Sequence, residues 1–330
     1  MKLLIVTHLE TSKKPAPHTP GLRTLTRVQV KKIKAVAPKM EIIVTGEPDE
    51  IERHAADANI IVTSPRTLPP LAHATHLTWL HSLSAGVDRI LTPEVKKSSV
   101  IVSNSSGVHA VPIAEHVMAY LLIFARGFLH SLENQKHRLW KRGEGMTELY
   151  EKTVLIVGMG NIGSEVARRA HAFDCHIIAL TRSGKTDSKY VHEIHKASAL
   201  ERMLKKADFV VSCLPGTPET HHIFDRKKFG LMKPSAYFIN IGRGSLVHEK
   251  DLIAALKKKL IAGAALDVAE TEPLPAESPL WNMQNVIITP HHSGASERYM
   301  DRAIDRFVLN LKAYLRKKPL PNLVDKTLGY

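Results

Sequence analysis

Three charged side chains stand where short apolar stretches of the sequence end. Arg243 lies between two glycines in INIGRGSLV, Glu272 follows in ALDVAETEPLP, and His291 comes directly after a proline in ITPHHSG. A guanidinium group pairs with carboxylates in bidentate geometry, and an imidazole gives and takes protons near neutral pH. In an open α/β sheet, ligands bind beyond the carboxyl ends of the strands. We therefore expect all three side chains to face one ligand crevice.

A glycine-rich turn supplies a second ligand-binding feature. The stretch VLIVGMGNIGSEVARRA carries G-x-G-x-x-G at Gly158, Gly160 and Gly163, after an apolar strand and before a helical pattern. A dinucleotide-binding turn requires this context, because the glycines allow a tight turn and let a pyrophosphate approach backbone N–H groups. The helix N-terminus adds partial positive charge. The sequence therefore predicts a dinucleotide-binding turn that includes Asn161 and Ile162.

The tip of the next predicted strand bears on the choice of dinucleotide. An acid at this position normally binds the adenosine ribose hydroxyls. Here the strand ends in HIIALTRSGK, with Thr181, Arg182 and Ser183 at the tip. Arg182 can pair with a 2′-phosphate, and Ser183 can donate a hydrogen bond to it. We predict that NADP(H) is preferred and that NAD(H) is also used; the alternative is a solvated Arg182 and no discrimination.

The elements that position these residues recur along the chain. Apolar, β-branched stretches alternate with polar segments of helix length, and this alternation predicts parallel sheets with crossover connections. The pattern restarts at residue 153, which indicates two α/β units. The first set of stretches is KLLIV, EIIVTG, NIIVTS, LTWLHSLS and VIVSNSSG, and the second is TVLIVG, HIIAL, DFVVSCLP, AYFINIG, AGAALDV and NVIITP.

Two longer segments have the apolar spacing of amphipathic helices. One begins near Pro112, a residue suited to a first helical turn, and the other occupies 297–317. The expected buried positions of the first are Ile113, Val117, Tyr120, Leu121 and Phe124, and those of the second are Met300, Ile304, Phe307, Val308 and Leu311.

Composition narrows the class of protein. The 330 residues are 44% apolar and 24% charged, and no apolar run approaches the ~20 residues of a membrane span. Cys175 and Cys213 lie in strand-like stretches, which predicts buried thiols in a reducing cytoplasm and neither a disulfide nor a metal site. The net charge of +14 suits either a nucleic-acid surface or a basic enzyme with anionic ligands. The scattered lysines favour the enzyme.

Taken together, several motifs resemble the D-isomer-specific 2-hydroxyacid dehydrogenases, and most closely the glyoxylate/hydroxypyruvate reductase-like members. The resemblance covers nearly the whole chain in the family's order. It implies an α/β fold in which a Rossmann dinucleotide-binding domain, 104–290, is inserted in a flavodoxin-like substrate domain, 1–103 plus 291–330. The motifs are the glycine turn, SLSAGVDRI, NSSGVHAVPIAEHVMAYLLIFAR, INIGRGSLVHEKDLIAAL, GAALDVAETEPLP and PHHSGAS.

The resemblance implies an NAD(P)H-dependent enzyme that reversibly reduces glyoxylate, hydroxypyruvate or a similar short 2-keto acid to the D-2-hydroxy acid. His291 would donate the proton, Arg243 would hold the substrate carboxylate, and Glu272 would hold the other ring nitrogen of His291. The backbone of Ala85, Gly86 and Val87 would also receive that carboxylate. Further cofactor contacts are implied at Leu214, Pro215, Thr220, Ile241, Gly242, Asp267 and Gly294, with Asp267 at the nicotinamide carboxamide.

Other expectations concern neighbours and partners. His292 should face away from the chemistry or pack against the site. A homodimer is expected through the helix near Pro112 and an arm through Trp140, a side chain that either enters the partner's pocket or serves as an interface or core aromatic. Arg66 either binds a distal anionic group or is solvated. The alternative function is a nucleotide-sensing binding protein similar to the C-terminal-binding corepressors. Neither a nucleic acid nor a membrane is expected as a partner.

Overall fold

The structure is a computed structural model that describes residues 1–9, 24–143 and 145–329. The chain divides into two compact units, Met1–His109 with Ser296–Tyr330, and Ala110–Ala295. The prediction from sequence placed these divisions after residues 103 and 290. In the described part of the chain no single helix is long and apolar enough to cross a membrane, and two helices, Ala110–Ala125 and Phe128–Lys136, meet that test only as a pair bent by 72°.

The first unit is built on a five-stranded parallel sheet in the order β2-β1-β3-β4-β5. This is the strand order of flavodoxin-like sheets. The core strands are buried on both faces, as their continuous apolar sequences predict. All five strands predicted in this part of the sequence are confirmed. They are β1 (Lys2–Val6), β2 (Glu41–Thr45), β3 (Ile60–Thr63), β4 (Trp79–Ser82) and β5 (Ile101–Ser103).

The C-terminal helix packs on the same sheet. It spans Tyr299–Leu315, and three of its predicted core positions, Ile304, Phe307 and Leu311, are fully buried. The ring of Phe307 stacks on Trp79 at a centroid distance of 5.4 Å. Met300 and Val308 are half-buried at the edge of the same face. The helices of this unit are α1 (Arg27–Val36), α2 (Pro48–Ala55), α3 (Pro93–Lys97) and α10 (Tyr299–Leu315).

The second unit has a seven-stranded parallel sheet in the order β12-β11-β10-β9-β6-β7-β8. Six of these strands follow the Rossmann order, with β12 added at one edge. The order reverses between β6 and β9, and ligands of such sheets bind at that switch point. The strands are β6 (Thr153–Val157), β7 (His176–Thr181), β8 (Glu193–Lys196), β9 (Phe209–Ser212), β10 (Tyr237–Asn240), β11 (Gly263–Leu266) and β12 (Val286–Ile288).

One strand of this sheet was missed from the sequence. The residues of β8 are EIHK, which have no apolar run and lie at the sheet edge against β7. Glu193 is held there by His176 and His195 at 3.0 and 3.2 Å, so polar side-chain contacts replace the apolar pattern.

The helix predicted near Pro112 is confirmed as α4 and packs against α6. All five of its predicted core positions are buried within this unit. The helices of the second unit are α4 (Ala110–Ala125), α5 (Phe128–Lys136), α6 (Asn161–His171), α7 (Leu200–Leu204), α8 (Arg226–Phe229) and α9 (Glu249–Lys257).

Both cysteines are free thiols of the second unit. Cys175 is buried, and its thiol donates to the carbonyl oxygen of Leu149 at 3.2 Å. Cys213 is only half-buried, which corrects the expectation that both would be buried. Desolvation raises the pKa of Cys175 to about 11 and that of Cys213 to about 12, so both are protonated near neutral pH. A cytoplasmic location stays a prediction.

Candidate active site

The turn between β6 and α6 is shaped by two glycines. Gly158 has φ 104°, a left-handed backbone, and a Cβ there would lie 3.0 Å from the carbonyl oxygen of Cys213. A Cβ at Gly163 would clash with the carbonyl of Gly158. Gly160 precedes the first residue of α6, and a Cβ on it would meet no described atom within 4 Å. This geometry fits a dinucleotide pyrophosphate at the N-terminus of α6.

The segments after β9 and β10 line the same switch point. A Cβ at Gly242 would lie 2.6 Å from the carbonyl oxygen of Leu214, so the two segments touch. The hydroxyl of Thr220 donates to the carbonyl of Pro215 at 2.7 Å and stabilises the loop after β9. Ile241 is buried beneath this surface. The segments after β9 and β10 therefore contact each other beside the expected position of the cofactor.

Thr181 closes the turn at the tip of β7. Its hydroxyl accepts the N–H groups of Gly184 and Lys185 at 2.8 and 3.1 Å. Arg182 and Ser183 are exposed on this turn. The pKa of Glu219 is lowered first by a hydrogen bond from Thr217 and then by its own backbone, and the charge of Arg182 adds to the lowering. The strand tip thus offers a hydroxyl and a guanidinium in place of a carboxylate.

Arg243 follows β10 in an extended backbone conformation. Its carbonyl oxygen accepts from the Asn240 amide at 2.9 Å, and its Nη1 donates to the carbonyl of Gly242 at 2.9 Å. The side chain is otherwise exposed. A Cβ at the next residue, Gly244, would clash with the carbonyl of Ala269. The arginine segment therefore lies directly against the loop that carries Glu272.

The expected contact between Glu272 and His291 is present. Glu272 Oε2 lies 2.8 Å from His291 Nδ1, and Glu272 Oε1 accepts the N–H of Ala269 at 3.3 Å. A carboxylate at Nδ1 can only accept a hydrogen bond, so Nδ1 carries a proton and Nε2 is the nitrogen left to exchange one. Both side chains are exposed, which leaves them accessible to a ligand.

Asp267 supports the turn that carries His291. It is 2% exposed, and its carboxylate accepts from Thr289 Oγ1, His292 N, Ser293 N and Ser293 Oγ at 2.5–3.1 Å. Its carbonyl oxygen accepts the N–H of His291 at 2.8 Å, which helps to hold His291 at φ 51°. A carboxylate has about four lone-pair sites, so these four donors saturate Asp267. A nicotinamide carboxamide, the contact implied by the family resemblance, would have to share an oxygen with them.

A polar chain that was not predicted from the sequence joins α4 to the same turn. His116 Nε2 lies 2.9 Å from the hydroxyl of Tyr120, which lies 2.5 Å from Thr289 Oγ1. Burial lowers the pKa of His116, Asp267 opposes this effect, and His292 adds to it. Burial likewise raises the pKa of Tyr120. Tyr120 was expected only as an apolar core residue, because its periodicity does not reveal where its hydroxyl points.

His116, Asp267 and His292 bring one potential metal-ligand atom each within 4.8 Å of one another. Because four protein donors saturate Asp267, a cation would have to displace one of them. We therefore interpret the group as support for the turn. The ring of His292 lies 5.5 Å from that of His116 at 88°, so His292 packs against the helix, one of its two expected positions.

The remaining expected substrate residues lie in the first unit. Ala85, Gly86 and Val87 follow β4; the carbonyl of Ala85 accepts from the Asn104 amide at 2.8 Å, and Val87 is buried. Arg66 is exposed, and both of its expected roles stay predictions. Trp140, in the second unit, is fully exposed beyond α5, so it is not a core aromatic.

A Rossmann sheet with a glycine turn, followed by an arginine and a histidine–carboxylate pair beyond its strands, defines a nicotinamide-dependent oxidoreductase. The family model for the D-isomer specific 2-hydroxyacid dehydrogenase, NAD binding domain, matches residues 118–293. The chain belongs to the D-isomer specific 2-hydroxyacid dehydrogenase family and interconverts 2-keto and 2-hydroxy acids.

Full-length relatives agree with this assignment. The chain is 33% identical over 312 residues to a glyoxylate reductase of Pyrococcus furiosus, covering 89% of this chain and 92% of the relative. A solved D-isomer specific 2-hydroxyacid dehydrogenase family protein from Aeromonas salmonicida superposes with a TM-score of 0.82 at 31% identity, covering 98% and 99% of the two chains. An NADPH-dependent glyoxylate/hydroxypyruvate reductase from Sinorhizobium meliloti, in complex with NADP and sulfate, gives 0.79 at 28% identity, covering 100% and 99%.

Proposed function

We propose that the protein reduces glyoxylate, hydroxypyruvate or a similar short 2-keto acid to the D-2-hydroxy acid, with NADPH as the preferred reductant. The observation that carries the proposal is the pair of Glu272 and His291 on a turn fixed by Asp267. The named reductases among the relatives favour this activity over the nucleotide-sensing alternative.

Each protein group has one task in this reaction. The Arg243 guanidinium binds the substrate carboxylate and polarises the neighbouring carbonyl. His291 Nε2–H donates its proton to the carbonyl oxygen as that oxygen gains negative charge, and Glu272 stabilises the imidazolium through Nδ1. A nicotinamide cofactor, when bound, would supply the hydride that the carbonyl carbon accepts. In the reverse direction His291 accepts the hydroxyl proton.

The preference for NADPH rests on the tip of β7. Thr181 closes the turn, Arg182 and Ser183 are exposed beside it, and residues 181–183 include no carboxylate that would repel a 2′-phosphate. A guanidinium and a hydroxyl are suitable donors to such a phosphate. The Sinorhizobium meliloti reductase, whose complex contains NADP, supports this choice. Replacing Thr181 by Asp together with Arg182 by Gln should move the ratio of kcat/KM values from NADPH towards NADH.

We also propose a homodimer. The apolar face of α4 is buried within its own unit, so the exposed apolar surface lies further along the chain than the sequence indicated. Large apolar side chains that are more than half exposed continue from α5 through the arm, and such surfaces mark interfaces. They are Phe128, Leu139, Trp140 and Met146. Sedimentation that shows a monomer at micromolar concentration would reject the dimer.

The test of the function is an assay of the purified protein. NADPH and NADH are each supplied with glyoxylate, hydroxypyruvate, pyruvate and longer 2-keto acids, and cofactor oxidation is followed by absorbance. We expect turnover with a short keto acid and a higher kcat/KM with NADPH. No cofactor oxidation with any short keto acid would overturn the activity, and an equal or higher value with NADH would overturn the cofactor preference alone.

A further inference from the structure

The loop that carries Glu272 is fastened to two other loops through Glu270. Glu270 Oε1 lies 2.5 Å from His222 Nε2, and Glu270 Oε2 accepts the N–H of Glu249 at 3.1 Å. The N–H of Glu270 in turn donates to Glu249 Oε2 at 3.3 Å. One side chain thus joins the loop after β11 to the loop after β9 and to the start of α9. We call His222, Glu249 and Glu270 the Glu270 clamp.

The clamp lies beside both halves of the proposed catalytic machinery. The N–H of His222 donates to the carbonyl of Ser245 at 2.8 Å, just beyond Arg243 and Gly244. On the other side Ala269, the residue before Glu270, donates its N–H to Glu272 Oε1. The close approach of Gly244 to Ala269 leaves no space between these segments. A movement of Glu270 would therefore displace the peptide that orients Glu272.

The charges around the clamp include two neighbouring carboxylates. Burial raises the pKa of Glu249, and the charge of Glu270 adds to this effect. His222 bonds Glu270, and two more imidazoles lie beside its ring, that of His221 at 3.8 Å and that of His248 at 4.9 Å.

A further acid completes the surroundings of the clamp. His248 Nδ1 lies 2.9 Å from Asp251 Oδ2, an ion-pair distance without hydrogen-bond geometry. Asp251 Oδ2 also accepts the N–H of Arg226 at 3.0 Å. His222 is the imidazole that bonds the Glu270 carboxylate directly.

We propose that Glu270 is a positioning residue for proton transfer: held by His222 and Glu249, it fixes the 269–272 peptide so that Glu272 stays bonded to His291 Nδ1. The inference rests on the proposed role of His291. An exposed glutamate such as Glu272 has several rotamers, and proton-transfer groups need their partners held within about 0.5 Å. Without the clamp, Glu272 would leave His291 for part of the time.

The test measures the titration of His291 by NMR in the protein without substrate, with the signal assigned from the His291→Ala spectrum. Glu270→Ala should lower the titration midpoint of His291 by about half a pH unit, because imidazolium loses a fixed anionic partner. In Glu270→Gln, the amide oxygen can accept the N–H of Glu249 while the amide N–H₂ donates to Nε2 of a neutral His222, so both contacts are kept and the midpoint should return to near that of the unmodified protein. Glu277→Ala, which removes an exposed acid further along the same loop, should leave it unchanged.

A double substitution separates positioning from long-range charge. In a Glu272→Gln background, Glu270→Ala should cause no further shift of the midpoint, since the two residues act through one contact. An unchanged midpoint in Glu270→Ala, an equal shift in Glu270→Gln, or additive shifts in the double variant would each overturn the proposal. Failure of the proposed function would show separately, as absence of keto-acid turnover by the unmodified protein.

Discussion

Asp267 and Glu272 lie in the same loop after β11, but the chain surrounds them differently. Asp267 is buried and saturated by four donors, whereas Glu272 is exposed and bonds one backbone N–H and one imidazole. A buried, fully bonded carboxylate fixes backbone, and removing a buried partner is costly. An exposed carboxylate with few partners can adjust its position when the charge on a neighbouring group changes. The comparison separates a carboxylate that supports the backbone of the turn, Asp267, from the one that we propose acts in the reaction, Glu272.

The largest expected effect concerns the two histidines on the turn that Asp267 holds. His291→Ala removes the proton donor and should lower kcat by roughly 10²–10⁴-fold. His292→Ala removes a ring that packs on His116 and should lower kcat by less than about tenfold, because the backbone bonds to Asp267 remain. Steady-state kinetics on both variants checks the ranking, and a reversed order would show that the other histidine carries the chemistry.

Substitutions of Asp267 and Glu272 should differ in their effect on the free energy of unfolding, and the larger effect is expected at Asp267. Asp267→Asn keeps the shape but turns an amide N–H₂ towards groups that need an acceptor, and we expect it to lower the free energy of unfolding by about 3 kcal/mol. Glu272→Gln alters an exposed pair and should change it by less than about 1 kcal/mol. Chemical denaturation of the two variants measures both values. Equal losses would mean that Glu272 is as structural as Asp267.

The pH profile of reduction should respond to Glu272. Its Oε2 lies 2.8 Å from Nδ1 of His291, the proposed proton donor. Glu272→Gln removes the negative charge beside the imidazole, so the profile of kcat should move towards acid by up to about 0.7 pH unit, which corresponds to about 1 kcal/mol. Rates across pH 5 to about 9 with saturating substrate test this. An unshifted profile would argue against the pairing of the two residues during turnover.

The smallest effect is expected at the edge of the sheet, where Glu193 is a half-buried carboxylate. Hydrogen bonds from His195 and then His176 lower its pKa to about 2, with Lys206 contributing less. A depressed folded-state pKa stabilises the fold above the unfolded value near 4.5, and this contribution is lost as pH falls towards 2. After allowance for solvent screening, Glu193→Gln should cost less than about 1 kcal/mol at pH 7. If Glu193→Gln lowered the free energy of unfolding more than Asp267→Asn does, the buried Asp267 would not be the more stabilising acid.

The parts of the fold that follow from local spacing were predictable from the sequence. The glycine turn requires Gly158 and Gly163 for reasons contained in one strand–turn–helix unit. The apolar stretches of the other strands predict that these strands are buried. β8 has no apolar stretch, because its side-chain contacts are polar.

Other parts depend on contacts between distant segments. The family resemblance placed Glu272 and His291 in one site, but not the polar chain from His116 through Tyr120 to Thr289. Nor did it indicate the bond between His222 and Glu270. Both sets of contacts form between segments that are distant in the sequence: α4 or the loop after β9 on one side, and the loops beyond β11 and β12 on the other. The periodicity of a single segment does not predict contacts of this kind.

The backbone of His291 carries a consequence for evolution and engineering. Its φ of 51° is a conformation that glycine adopts without cost and that other residues adopt at about 1 kcal/mol. Exchange of His291 for glycine should therefore relax the turn while it removes the proton donor. With His291 as the proposed proton donor, selection for stability alone would favour loss of activity at this position, and stability screens on this protein would enrich inactive variants there.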